Sequence, residues 1–243
     1  MHMNEVIKTL ENRRSTRKFK DIPILDEHKK TILNSAIIAP TAGNMMLYSI
    51  IDVTDQSLID KLSVLCDNQP FMKEAKLVLM FVTNSNRWYN AYNKINDDKY
   101  KPTLSDYYLG LNDAIIAAQS AVIVAESLNI GSCYIGDIVE NYEEIKKIFN
   151  LPKYINPACL IVFGYKENEN YVNRPTRFKV EDVVFENKFV DKDLESFINK
   201  FEGDKERAEK LVNGTFNFKM KSEFFKEMNR SLELMINEYL ENK

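Results

Sequence analysis

The sequence predicts an α+β fold: a mixed central sheet flanked by helices, with a helical C-terminal extension. Three observations point to it. Apolar runs of strand length, such as "LVLMFVT" at 77–83 and "ACLIVFGY" at 158–165, are interspersed with amphipathic segments, too irregularly for a doubly wound sheet. One long segment, Leu104 to Leu128, is apolar on nearly every side, as a buried core or interface helix is. After Tyr165 the texture turns to polar loop and then to charged helical periodicity. A chain of 243 residues can bury such a core.

The elements follow in order. Val6, Ile7 and Leu10 give residues 4–12 one apolar face, a short helix. Pro23 breaks the chain. Asp26 is placed to cap a second helix through residue 38, with Ile32, Leu33, Ala36 and Ile37 as its stripe. "APTAGN", 39–44, is a loop. "YSIIDVT", 48–54, is a strand, 57–65 a helix, and 77–83 a buried strand. Residues 86–103 are polar and aromatic, contain Pro102, and read as a long loop or lid. The helix 104–128 comes next. "IGSCYIGD", 130–137, is a turn around a short strand, 140–149 is helical, and 158–165 is a second buried strand. "KENENYVNRPTRFKVED" is a polar loop. In 218–240 the residues Phe224, Phe225, Met228, Leu232, Met235, Ile236 and Tyr239 form the stripe of a last helix.

Composition narrows the function. A formal net charge of -3 argues against a general nucleic-acid binder, which needs a broad cationic surface. Too many polar residues interrupt the 104–128 helix for a membrane span. "MHMNEVIKTL" lacks the apolar core of a signal peptide, so a cytoplasmic location is expected. Cys66, Cys133 and Cys159 are odd in number and widely spaced, as reduced, buried thiols are. With only His2 and His28 and no CxxC pair, no metal site is expected. There is no GxSxG, HExxH, GxxxxGK[ST] or helix-opening GxGxxG. Enzymatic chemistry would therefore come from a cofactor.

The binding candidates are loops. "NRRSTRKFKD", 12–21, sets Arg13, Arg14, Arg17 and Lys18 around two hydroxyls, Ser15 and Thr16. Planar guanidinium forks at that spacing suit a phosphate. "RPTR", 174–177, is a second compact arginine pair, and the composition of either cluster equally fits solvated surface charge. Lys18 and Lys20 read as surface charges. The small residues of "APTAGN" and of "GSCYIGD" let backbone approach a flat ligand or another chain.

Taken together, these segments resemble the FMN-dependent nitroreductase family. "RRSTRKF" resembles its N-terminal basic–Ser–basic signature, "APTAGNMM" its Pro-Ser-Ser/Ala-x-Asn loop, and "DNQPF" its Gly-Gln step. "ESLNIGSCYIGDI", "NLPKYINPACLIVFGY" and "RPTRFKVEDVVFENKF" resemble later segments in the same order. The matches run over roughly three quarters of the chain, residues 5 to 190. The helical extension resembles the larger, NADPH-dependent nitro- and flavin-reductase subgroup.

The resemblance implies a nitroreductase-like, FMN-binding domain at 1–190 and a helical extension at 191–243. That extension would pack on the same domain or on a dimer partner. It implies a cytoplasmic homodimer with flavin sites at the subunit interface. Arg13, Arg14, Ser15 and Arg17 would hold the FMN phosphate and ribityl chain. Arg177, with Arg174, would close on the same phosphate. Pro40, Thr41, Ala42 and Asn44 would approach from the partner. Gln69 would bond the ribityl or ring edge, and Tyr134, Ile135 and Gly136 would lie beside the ring. Arg230 would contact substrate or the NADPH phosphate. The implied reaction is ping-pong: NADPH or NADH gives a hydride to the flavin, and a small-molecule acceptor then takes it. A nitroaromatic, a quinone, free flavin or a dehalogenation substrate could be that acceptor. The alternative is a flavin- or nucleotide-binding protein without turnover. The chain departs from the family pattern at Asn68, Met46, Leu47 and Asp137, and "RPTR" is one residue longer than usual.

Overall fold

The structure is a computed structural model describing residues 4–167 and 176–240. The chain forms two compact units, one of Met1–Glu169 with Glu227–Lys243 and one of Asn170–Lys226. The first unit holds the sheet. Its elements are α1 (Glu5–Asn12), α2 (Asp26–Ile37), β1 (Tyr48–Asp52), α3 (Gln56–Leu65), β2 (Leu77–Thr83), α4 (Asn86–Ile95), α5 (Leu104–Ser127), β3 (Ile130–Ile135), α6 (Tyr142–Ile148) and β4 (Pro157–Tyr165).

The strand order is β1-β2-β4-β3, and all three ladders are antiparallel. The α+β class holds. The parallel component of the mixed sheet is limited, among the described residues, to a single bridge between Ser15 and Ser132. β2 is buried at every position, because both faces of the sheet are covered. On one face Val78, Met80, Val82, Leu160 and Val162 pack against Ile59 and Leu62 of α3 and Ile145 of α6. On the other, Leu77, Leu79, Phe81, Ile161 and Phe163 pack against α2 and α5.

α5 is long and apolar enough, with a mean hydropathy of 1.4, to cross a membrane by length and composition alone. Here its small-residue face is core: Ala114, Ala117, Ala118, Ala121 and Ala125 are fully buried against the sheet. Ile115 and Ile116, on its far side, stay exposed.

Two local expectations are corrected. Asp26 is the first residue of α2, not its cap; Leu25 precedes it and makes no side-chain capping bond. An acid in the first turn still complements the helix dipole. Residues 86–103 are not all loop, since α4 occupies Asn86–Ile95. No residue of α4 is buried, so its stripe is aromatic and polar instead of aliphatic. It is fastened by polar bonds: Trp88 Nε1 donates to Met45 O (2.7 Å), and Arg87 donates to Met46 O and Tyr48 O.

The second unit contains α7 (Val180–Val183), α8 (Asp193–Lys200) and α9 (Lys205–Thr215). Phe178 meets Phe197 edge-on at 5.1 Å, and Asp182 accepts from Asn199 and Lys192. The last helix, α10 (Glu223–Leu240), belongs to the first unit from Glu227 onward. There Tyr239 packs against Tyr107 and Tyr154 and donates to Tyr154 O.

Candidate active site

The basic segment is stitched to the sheet at its middle and near its end. After α1 ends, Thr16 N donates to Ser132 O (2.8 Å) and Lys20 N to Tyr165 O (2.8 Å). Thr16 and Phe19 are buried where they cross β3 and β4. They fit because the strand residues beneath them are glycines. A Cβ on Gly131 would lie 2.6 Å from Thr16 Cβ, and one on Gly164 would lie 2.7 Å from the Phe19 ring. Gly131→Ala is therefore expected to lift the segment off β3. Overpacking of this kind costs about 1–3 kcal/mol. Urea unfolding measures it, and an unchanged midpoint would show that the segment is free to move aside.

Arg13, Arg14 and Ser15 lead into the first anchor, and Arg17 stands between the two. Arg14 folds back on the end of α1, where Nη1 donates to Glu11 O (2.5 Å) and Arg13 O (2.9 Å). Its Nε is buried and has no hydrogen-bond partner among the described residues. Arg17 lies over the Phe71 ring, 5.9 Å from its centroid. Burial pushes the Cys133 thiol up, while the charges of Arg17 and Arg13 and a hydrogen bond with Ser15 pull it down. Arg13, Ser15 and Arg17 thus gather at β3.

Gln69 comes to the same end of β3. It follows two left-handed residues, Asp67 (φ 58°) and Asn68 (φ 50°). The position that departs from the family glycine keeps a turn that Gly and Asn tolerate best. Gln69 Nε2 donates to Cys66 O (2.9 Å) and to Asp137 Oδ2 (2.5 Å). β3 then runs through Tyr134 and Ile135 to Gly136. Tyr134 Oη donates to Gln119 on α5 (3.2 Å). A Cβ on Gly136 would meet nothing within 4 Å, so the space beside it is open.

The Pro40–Asn44 loop is held elsewhere. Asp113 of α5, 2% exposed, accepts from Ala42 N (2.8 Å) and Leu47 N (3.0 Å). Thr41 Oγ1 accepts from Met46 N. Gly43, Asn44 and Met46 all have left-handed φ near 55°. Strain of this kind collects at functional sites. The loop leads into β1, while the basic segment and Gly136 belong to β3. β1 and β3 are opposite edges of the sheet, about 14 Å apart at ordinary strand spacing. One chain therefore brings Arg13–Arg17, Gln69 and Tyr134–Gly136 together and leaves Pro40–Asn44 on the far edge.

Three expected residues remain: Arg174, Arg177 and Arg230. Arg177 is in the second unit, and Arg174 lies outside the described residues. Arg230 of α10 donates to both oxygens of Glu143 (2.8 and 2.9 Å) and to Glu227 through Nε and Nη2. The Arg230 guanidinium holds the Glu227 carboxyl at about 2. Arg230 thus clamps α10 to α6 with most of its donors committed. Two residues escaped the sequence reading: Asp113 and Glu140. The signal for Asp113 was a lone acid inside the apolar run "DAIIAAQSA".

Comparison with known proteins decides the family. The model of the Nitroreductase family matches residues 10–165. The chain belongs to that family. Among its nitroreductase-family relatives is the FMN reductase (NAD(P)H) of Bacillus subtilis (strain 168), 34% identical over 165 residues. That match covers 67% of this chain and 66% of the relative, so the chain spans about two thirds of that protein's length. The NADPH-flavin oxidoreductase of Vibrio harveyi is 29% identical over 79% of this chain and 78% of its own. Nitroreductase A from Vibrio parahaemolyticus superposes with a TM-score of 0.82 at 25% identity, covering 98% of both chains.

Proposed function

We propose that this nitroreductase-family chain is an FMN-dependent oxidoreductase. It moves a hydride from NADPH or NADH through bound flavin to an oxidised small molecule such as a nitroaromatic, a quinone or free flavin. The observation that carries this reading is the unpartnered, buried Nε of Arg14 within an arginine–serine segment pinned to β3. A buried guanidinium N–H is rarely left unsatisfied, and a phosphate oxygen satisfies it at charge-assisted strength.

The residues present fit a phosphorylated flavin. Arg13, Arg14, Ser15 and Arg17 bind the phosphate and ribityl chain. Tyr134, Ile135 and Gly136 line the ring, with open space beside Gly136. Gln69 meets the flavin through Oε1, since its amide N–H groups are engaged by Cys66 and Asp137. Bound FMN supplies the hydride chemistry; the chain holds the cofactor, orients it and excludes water.

The functional unit is a homodimer. Pro40, Thr41, Ala42 and Asn44 of one copy complete the site of the other, because they sit on the sheet edge opposite to β3. Val6 and Leu10 of α1, Ile37 and Ile38 at the end of α2, and Ile115 and Ile116 of α5 are exposed apolar side chains of the kind a subunit interface covers. We place the protein in the cytoplasm, consistent with three free, buried cysteines among the described residues.

Steady-state NAD(P)H oxidation, with a nitroaromatic and with free FMN as acceptors, tests the reading. Turnover dependent on added FMN supports it. Tight FMN binding with no turnover on either nucleotide would make the chain a flavin-binding protein instead.

A further inference from the structure

Directly after the ring-lining segment the chain places two acids where the family pattern has none at the first position. Asp137 follows Gly136 and accepts from Gln69 Nε2. Glu140 ends the same turn and is only 5% exposed. One of its carboxyl oxygens is buried with no hydrogen-bond partner among the described residues. Glu140 N donates to Asp137 O (3.0 Å), so the two acids are held on one tight turn. When two acids sit this close and one is buried without a donor to its carboxyl oxygen, the buried one holds its proton more tightly.

We propose that Asp137 and Glu140 are a positioning pair for the flavin site, Glu140 keeping its proton and Asp137 orienting Gln69 toward the cofactor. This inference rests on the flavin reading above. Asp137 takes up the Gln69 amide N–H, so that Oε1 is the atom turned to the ligand. Glu140, by keeping its proton, spares Asp137 a second negative charge beside it. The charges acting on Glu140 come from three elements: Asp137 on its own turn, Asp67 after α3, and Glu227 on α10. Glu227 is itself neutralised by Arg230. Burial first, and then these carboxylates, push Glu140 up to about 7. Above that pH the pair carries two negative charges instead of one. FMN is an anion, so its affinity falls as the proton leaves.

Fluorescence titration with FMN between pH 6 and 8.5, on wild type and Glu140→Gln, tests the pair. The phosphate's own ionisation is common to both proteins and cancels in their ratio. One added charge near an anion in a partly solvated site weakens its binding about 5-fold. The dissociation constant of wild type is therefore expected to rise about 5-fold relative to the variant across pH 7. Parallel profiles overturn the proposal. Carbon-13 carboxyl NMR of the flavin-free wild type is a second readout, independent of the variant's folding. A glutamate resonance titrating near pH 7 is expected, and one confined to the ordinary carboxylate range overturns the retained proton. FMN binding absent from wild type at every pH overturns the flavin reading instead, and the carboxyl resonance then decides the pair.

Discussion

Arg14→Ala combined with Arg17→Ala is expected to strip FMN from the protein, raising its dissociation constant at least about 100-fold. A hydrogen bond to a charged group contributes roughly 1.5–3 kcal/mol, so two of them lost together reach that factor at the low end. Arg14 is the more telling residue. Its Nη1 is already used to seal the end of α1, and its Nε is buried and idle in the free chain. The stable fold does not need that N–H, so a ligand is its natural partner. Arg17 lies over Phe71 and is exposed, so its removal takes away charge with little packing. Flavin content after purification and a fluorescence titration measure the effect. Full retention of FMN would move the phosphate away from this segment.

Asp113→Ala is expected to be the most destabilising of these substitutions, by about 3–5 kcal/mol. Its carboxyl is buried and holds two backbone N–H groups, those of Ala42 and Leu47. Each buried N–H left without a partner costs about 1–3 kcal/mol, and the buried cavity adds to it. The loop between them carries three left-handed residues, at Gly43, Asn44 and Met46. Without Asp113 nothing comparable holds that strained path against relaxation. Asp113→Asn keeps one acceptor and is expected to lose about half as much. Urea denaturation of both variants reads this. In the dimer reading the alanine variant also loses flavin, although the loop that Asp113 holds leads into the sheet edge opposite the arginines. A variant as stable as wild type would show that the loop is held by its other contacts, such as Trp88 to Met45 O.

The sheet was legible because β2 and β4 are covered on both faces and read as unbroken apolar runs. α5 was legible for the same reason, its alanine face being core and its isoleucines outside. α4 was not, because its rings are held by polar bonds at the surface and leave no aliphatic stripe. The binding segments were legible as composition, yet their arrangement was not. Periodicity says nothing of Gly131 making room for Thr16, nor of Asp113 reaching 71 residues back along the chain to Ala42. Asp137 was visible as a departure, but its partner Gln69 is 68 positions away. Asn68 shows the reverse case. It departs from a glycine in name and keeps the backbone conformation that the glycine serves.

The most direct measurement is a visible absorption spectrum of the purified protein after incubation with FMN, followed by anaerobic addition of NADPH and then NADH. The account predicts a bound flavin band that bleaches with at least one of the two nucleotides. No bound flavin, or a band that neither nucleotide bleaches, would contradict it.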